Sequence, residues 1–199
     1  MNYLTSLIFI LVFSMVACTG GHKTPPDTLV VGLSSAPATL DPRFATDANG
    51  MRIGGLIFNS LVKAGSDFAP AADAAEKWEY KDHVFTFDLK RDLRFHNGRE
   101  VSPEDILFSF EQYRQPSSPF ASILALITDV RAEKADDGHL VVKLRVKNFS
   151  DKFLISDLPA VRLLPKAETA EFPKKLIGTG GFKFKSADQS SVQLEAVNA

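Results

Sequence analysis

A single cysteine, Cys18, sets the terms on which this chain can fold. No intramolecular disulfide can form, and a zinc site of the usual cysteine-histidine kind is excluded. Cohesion must come from apolar burial and hydrogen bonding. The 199 residues are suited to that, since 45% are hydrophobic and 16 Phe offer large side chains for a core. With 23 basic and 24 acidic side chains the formal net charge is -1, so charge gives no case for nucleic acid as a partner.

Cys18 also ends an apolar run that includes Leu7, Ile8, Phe9, Ile10, Leu11, Val12 and Phe13. The run falls short of the roughly 20 apolar residues a membrane span needs, and it has the length of a signal-peptide core. The string Met15-Val16-Ala17-Cys18 is similar to a bacterial lipobox, in which the cysteine becomes the new N-terminus and carries lipid. No Lys or Arg precedes the run, which departs from the usual signal peptide. A Gly- and Pro-rich stretch follows, as a tether would. The expectation is a signal peptide over 1–17, a lipidated tether over 18–27 and a folded region over 28–199. Thr19, where Asp would be a retention signal, implies the outer membrane if the cell is Gram-negative.

Hydrophobic period then gives the elements. Thr28 to Ser34 reads as a buried strand, and Met51 to Val62 as a helix presenting Ile53, Leu56, Ile57 and Leu61 on one face. Trp78 to Tyr80 and Val84 to Leu89 form a hairpin in which Phe85, Phe87 and Leu89 alternate with Thr86 and Asp88. Asn97-Gly98 marks a turn. Ser102-Pro103-Glu104-Asp105 opens a helix with a cap, a proline at its first position and a reciprocal box. Its inward residues are Ile106, Phe110 and Tyr113. A second hairpin turns at Asp136-Asp137-Gly138 and continues with Leu140, Val142, Leu144 and Val146 alternating inward. A short helix over Asp151 to Leu158 and a last hairpin, Phe182 to Lys185 with Val192 to Ala196, complete the pass. Strands and helices mix without regular βα alternation, which predicts an α+β or irregular α/β domain.

Three strings stand in order: Thr39-Leu40-Asp41-Pro42-Arg43; Phe95-His96-Asn97-Gly98 with Ser102-Pro103-Glu104-Asp105; and Ile177-Gly178-Thr179-Gly180-Gly181-Phe182. With the lipobox-like leader they resemble the N-terminal part of the extracellular solute-binding proteins of peptide and nickel ABC transporters, the dipeptide- and oligopeptide-binding type of family 5. The departures are Asn97 for Asp, Ser102-Pro103 for Thr-Ala, Leu176 for Pro, and Gly181-Phe182 for Pro-Tyr. The resemblance implies the first lobe of a type II periplasmic-binding-protein fold, with a mixed sheet and a hairpin-rich subdomain. It also implies that the second lobe lies outside these residues, so that the lobe is incomplete and exposes apolar surface.

It further implies a peptide ligand in an interlobe cleft, ABC permease subunits as partners, a lipid-anchored place in the periplasm or on the cell surface, and no cofactor. A surface interaction or signalling module that reuses the lobe without transport is the alternative. By position in the family, Thr46, Asp47 and Ala48 line the ligand, with a solvated loop as the other reading. Phe120 matches a ligand-facing aromatic position, with a core role as its alternative. Asp41 reads as a loop-structuring carboxylate, and Gly178 to Gly181 as packing residues near a hinge. The glycines lack the lysine-serine ending of a phosphate-binding loop. No catalytic motif is found, and His22, His83, His96 and His139 lie too far apart in sequence to suggest a metal cluster, so neither an enzyme nor a metal site is expected.

Overall fold

The computed structural model describes residues 28–150 and 152–197. The leader, Cys18, His22 and Asp151 lie outside the described residues. The chain divides into two units, residues 1–34 and 35–199. In the first, Thr28 to Ser34 does not form the expected strand, and Leu29 and Val30 are 87% and 71% exposed. Branched side chains favour extended backbone, but a strand exists only where a neighbour completes its hydrogen bonds.

The second unit begins with helix α1 (Ala48–Ile57), followed by the short antiparallel pair β1 (Val62–Ala64) and β2 (Pro70–Ala72). Next come β3 (Ala75–Lys81), β4 (Val84–Leu89), α2 (Pro103–Arg114), the single turn α3 (Ala121–Leu124), β5 (Ile127–Lys134) and β6 (Leu140–Val146). The last pair is β7 (Phe182–Ala187) with β8 (Val192–Ala196). The largest sheet runs β3-β4-β6-β5, every neighbour antiparallel. Its inner face follows the sequence period. Phe85 lies opposite Leu144 and Phe87 opposite Val142, and all four are buried. Each such side chain contributes roughly 1.5–3 kcal/mol on leaving water. Helix α2 packs on β5 and buries Ile106, Phe110 and Tyr113 against the same core. Gly98 and Gly138 take φ of 88° and 86°, the left-handed conformation that both expected turns require.

Two helices differ from the sequence reading. Helix α1 starts at Ala48 because Asp47 caps it, accepting from the N–H groups of Asn49 and Gly50. It ends at Ile57, where Phe58 turns extended, so Leu61 is buried beyond the helix and Leu56 is 43% exposed. The segment expected as a helix over 151–158 is a π turn, Phe153–Asp157, followed by a 3-10 turn, Leu158–Ala160. Pro159 has no N–H to continue an α-helical ladder.

The start of α2 is a structural junction. Ser102 Oγ accepts from Asp105 N at 3.3 Å, and the Asp105 carboxylate accepts from Ser102 N at 3.0 Å. The same carboxylate takes both guanidinium arms of Arg99, at 2.7 and 3.0 Å, and Lys166 N at 2.9 Å. Burial opposes its ionisation, but Arg99, Lys166 N–H and Ser102 together hold it below the ordinary carboxylate range. Ser102→Ala should cost about 1 kcal/mol. Asp105→Ala should cost about 2 kcal/mol, since it also removes the buried acceptor of Lys166 N–H and of both Arg99 arms, leaving Arg99 with Glu168. Urea midpoints of the two variants measure the difference; equal losses would reduce Asp105 to a helix cap.

Candidate functional site

The loop from Thr39 to Ala48 is built by two carboxylates. Asp41 accepts from Arg43 N at 3.0 Å and from the Arg43 guanidinium at 2.9 and 2.6 Å. This matches the loop-structuring role read for Asp41. Arg43 then reaches α2, donating to Gln112 Oε1 at 3.2 Å, and lies over the rings of Phe44 and Phe172. Asp47 accepts from Gly50 N at 2.9 Å, Asn49 N at 3.1 Å and Ala38 N at 3.1 Å. These backbone donors, Gly50 foremost, hold its carboxyl below the ordinary range. Thr46 and Ala48 are exposed on either side of it. The loop is thus fixed from within and presents Thr46 and Ala48 outward.

Phe120 is 7% exposed and packs on Tyr113 with ring centroids 5.7 Å apart. In this structure its ring is a core side chain. It connects to the loop through α2, where Gln112 receives Arg43 and Tyr113 receives Phe120. Sequence reasoning did not single out Arg43 and Gln112 as this link. The contact spans 69 residues, and no local pattern signals it.

At the other end of α1 sits the glycine string. Gly180 N donates to Ile57 O at 2.8 Å, and Asn59 N donates to Thr179 Oγ1 at 3.3 Å. A Cβ on Gly178 would overlap Ile57 O, and one on Gly180 would overlap Leu56 O. These glycines are packing residues because backbone lies on backbone. His96 pins the string from the opposite side. Its backbone N–H donates to Gly178 O at 2.9 Å, its Nε2 lies 2.9 Å from Gly180 O, and its Nδ1 lies 3.3 Å from Gly178 N. Only the neutral ring protonated at Nε2 serves both side-chain contacts, donating to Gly180 O and accepting from Gly178 N–H. Burial lowers the His96 pKa, and Lys183 acts in the same direction.

The remaining described histidines are turn residues. His83 has φ of 63° between β3 and β4, and His139 contacts Asp137 and, at 3.3 Å, Asp88. Among the described residues no three His, Cys, Asp or Glu side chains are grouped to hold a metal ion.

Residues 69–198 match the family model described as bacterial extracellular solute-binding proteins, family 5 Middle. The chain is 29% identical over 167 residues to the periplasmic oligopeptide-binding protein OppA of Escherichia coli, which covers 74% of this chain and 30% of that protein. It superposes on the oligopeptide-binding protein AppA from Bacillus subtilis, solved in complex with a nonapeptide, with a TM-score of 0.70 and 26% identity over 85% of this chain and 36% of that one. NikZ from Campylobacter jejuni, solved with Ni(L-His), gives a TM-score of 0.72 at 26% identity over 87% of this chain and 36% of that one. The chain spans about a third of the length of these relatives.

Two variants separate contact from space in the glycine string. Gly178→Ala should cost at least about 2–3 kcal/mol, because the new methyl overlaps backbone that cannot yield. Gly181→Ala, with nothing within 4 Å of the added carbon, should change stability by no more than about 0.5 kcal/mol. Chemical denaturation of both variants reads the contrast. The His96 pin predicts a pH dependence. The fold favours the neutral ring, so its contribution is present above the ordinary value of 6.5 and is lost as pH falls through the lower folded value. Midpoints measured from pH 8 to 5 should fall less steeply in His96→Gln than in the parent.

Proposed function

This chain belongs to the bacterial extracellular solute-binding proteins, family 5, and on that premise we propose that it is the substrate-binding lipoprotein component of a peptide-type ABC transporter. It holds extended peptides in a cleft between two lobes and delivers them to a membrane permease. Residues 28–199 carry the first lobe and only part of the site, behind a signal peptide over 1–17 and a tether over 18–27. Lipid on Cys18 holds the protein to the membrane, in the periplasm or at the cell surface, and at the outer membrane in a Gram-negative cell. The family is one of binding proteins, and no catalytic role is assigned to this chain.

The observation that carries this reading is the likeness to AppA, whose solved structure holds a nonapeptide, at 26% identity and a TM-score of 0.70. The loop geometry supports it. Thr46 and Ala48 are exposed on a segment whose carboxylates are already engaged by its own backbone. Such a loop can meet a peptide without reorganising, which lowers the cost of binding. Asp47 acts by fixing the loop, and Phe120 acts from beneath it through Tyr113 and Gln112. A ligand gripped by both lobes draws its affinity from both, so the 199-residue chain alone should bind weakly.

Titration calorimetry with di- to pentapeptide mixtures tests this. The expected result is weak saturable binding, with Kd of about 0.1–1 mM, and no heat from sugars at equal concentration. Submicromolar affinity would overturn the partial-site reading, and equal heats from peptides and sugars would overturn the peptide reading.

A further inference from the structure

Arg162 stands apart from the cations of the described residues. The guanidinium of Arg43 is paired with Asp41, and that of Arg99 with Asp105 and Glu168. Arg162 has no carboxylate within ion-pair distance among the described residues, although it is only partly exposed. Its one side-chain hydrogen bond there is a long one, from Nη1 to Phe58 O at 3.4 Å. Asp73 attracts it from beyond ion-pair distance, but that carboxylate is hydrogen-bonded elsewhere, accepting from Ser60 N at 2.8 Å, Ser60 Oγ at 3.1 Å and Asn59 Nδ2 at 2.5 Å. Burial lowers the Arg162 pKa, and the attraction of Asp73 offsets only part of that.

The guanidinium is not sealed in. Among the described residues Nη2 and Nε make no hydrogen bond, yet neither is among the fully buried unsatisfied atoms. The opening lies at Gly55, an exposed residue of α1. A Cβ built there would lie 3.4 Å from Arg162 Nη2 and 4.0 Å from Cζ. The missing side chain therefore leaves the edge of the guanidinium uncovered on that face of the helix. Met51, one turn before Gly55 on the same face of α1, is 41% exposed, and the exposed Arg52, three residues before Gly55, shares that face.

We propose that Arg162 is the anion receptor of a carboxylate-binding site that opens on the outer face of α1 beside Gly55. A planar guanidinium with free N–H donors matches a carboxylate edge to edge. Met51 offers an apolar contact to an acid with a short aliphatic body, and partial desolvation strengthens the pair. The site does not depend on the ligand being a peptide, so it stands or falls separately from the reading above.

The test is an NMR titration of the 15N-labelled full chain with sodium butyrate, following the Arg162 Nε–Hε signal, which is assigned by its disappearance in Arg162→Lys. The expected result is a saturable shift in the parent. Butylammonium chloride at equal ionic strength should leave the signal in place. Gly55→Leu keeps Arg162 and puts a good helix former at an exposed position, so the chain should stay folded while the opening closes. It should weaken butyrate binding at least about fivefold, within the range of a lost charge-assisted contact. A linear, unsaturable shift, or the same affinity in the parent and Gly55→Leu, would overturn the proposal.

Discussion

The contact of the glycine string with the end of α1 is the constraint on which the second unit depends. Backbone touches backbone there, with Gly180 N on Ile57 O and no room for a Cβ at Gly178 or Gly180. The hydrogen bond satisfies one of the carbonyls that a helix C-terminus leaves open. It also fixes where the chain re-enters before β7. His96 locks the same string from the Phe95–Gly98 turn, so three segments far apart in sequence meet within a few hydrogen bonds. Helix α1 carries this junction at one end and the exposed Thr46–Ala48 loop at the other. Its ten residues, at about 1.5 Å each, form a short rigid strut between the two.

Much of this was legible in the sequence where the rule is local. The capping box at Ser102, the left-handed turns at Gly98 and Gly138, and the alternating burial of Phe85, Phe87 and Leu89 depend on neighbours within a few residues. The family was legible because its three strings are themselves turn and cap chemistry. The failures share a cause as well. Thr28 to Ser34 has strand composition, but composition cannot supply a partner. The start of α1 depended on which polar residue would cap it, and apolar period does not report that. The loss of α-helix at 153–160 reflects Pro159 within a segment that still packs Phe153, Leu154 and Leu158 inward. Of the candidate site residues, Thr46 and Ala48 lie exposed, whereas Phe120 lies inside, where Tyr113 gives its ring an aromatic partner.

Charge placement separates the residues that hold the fold from those left available. Asp41 with Arg43, and Asp105 with Arg99, are part-buried pairs in which further hydrogen bonds occupy the carboxylates. Such pairs add little net stability over an apolar substitute, but removing one partner is expensive, so they specify geometry. The loop and the α2 start are held in this way. Arg162 differs: among the described residues no carboxylate lies within ion-pair distance of it, and the nearby Asp73 is hydrogen-bonded to Ser60 and Asn59.

That contrast bears on the proposed peptide site and its tolerance of varied ligands. A peptide's backbone is constant and its side chains vary, so a tolerant site should be rigid where it meets backbone and unspecific elsewhere. The Asp41 and Asp47 loop has that rigidity, because its carboxylates spend their hydrogen bonds on the chain itself. A carboxylate already accepting three backbone N–H groups has little capacity left to select a ligand cation.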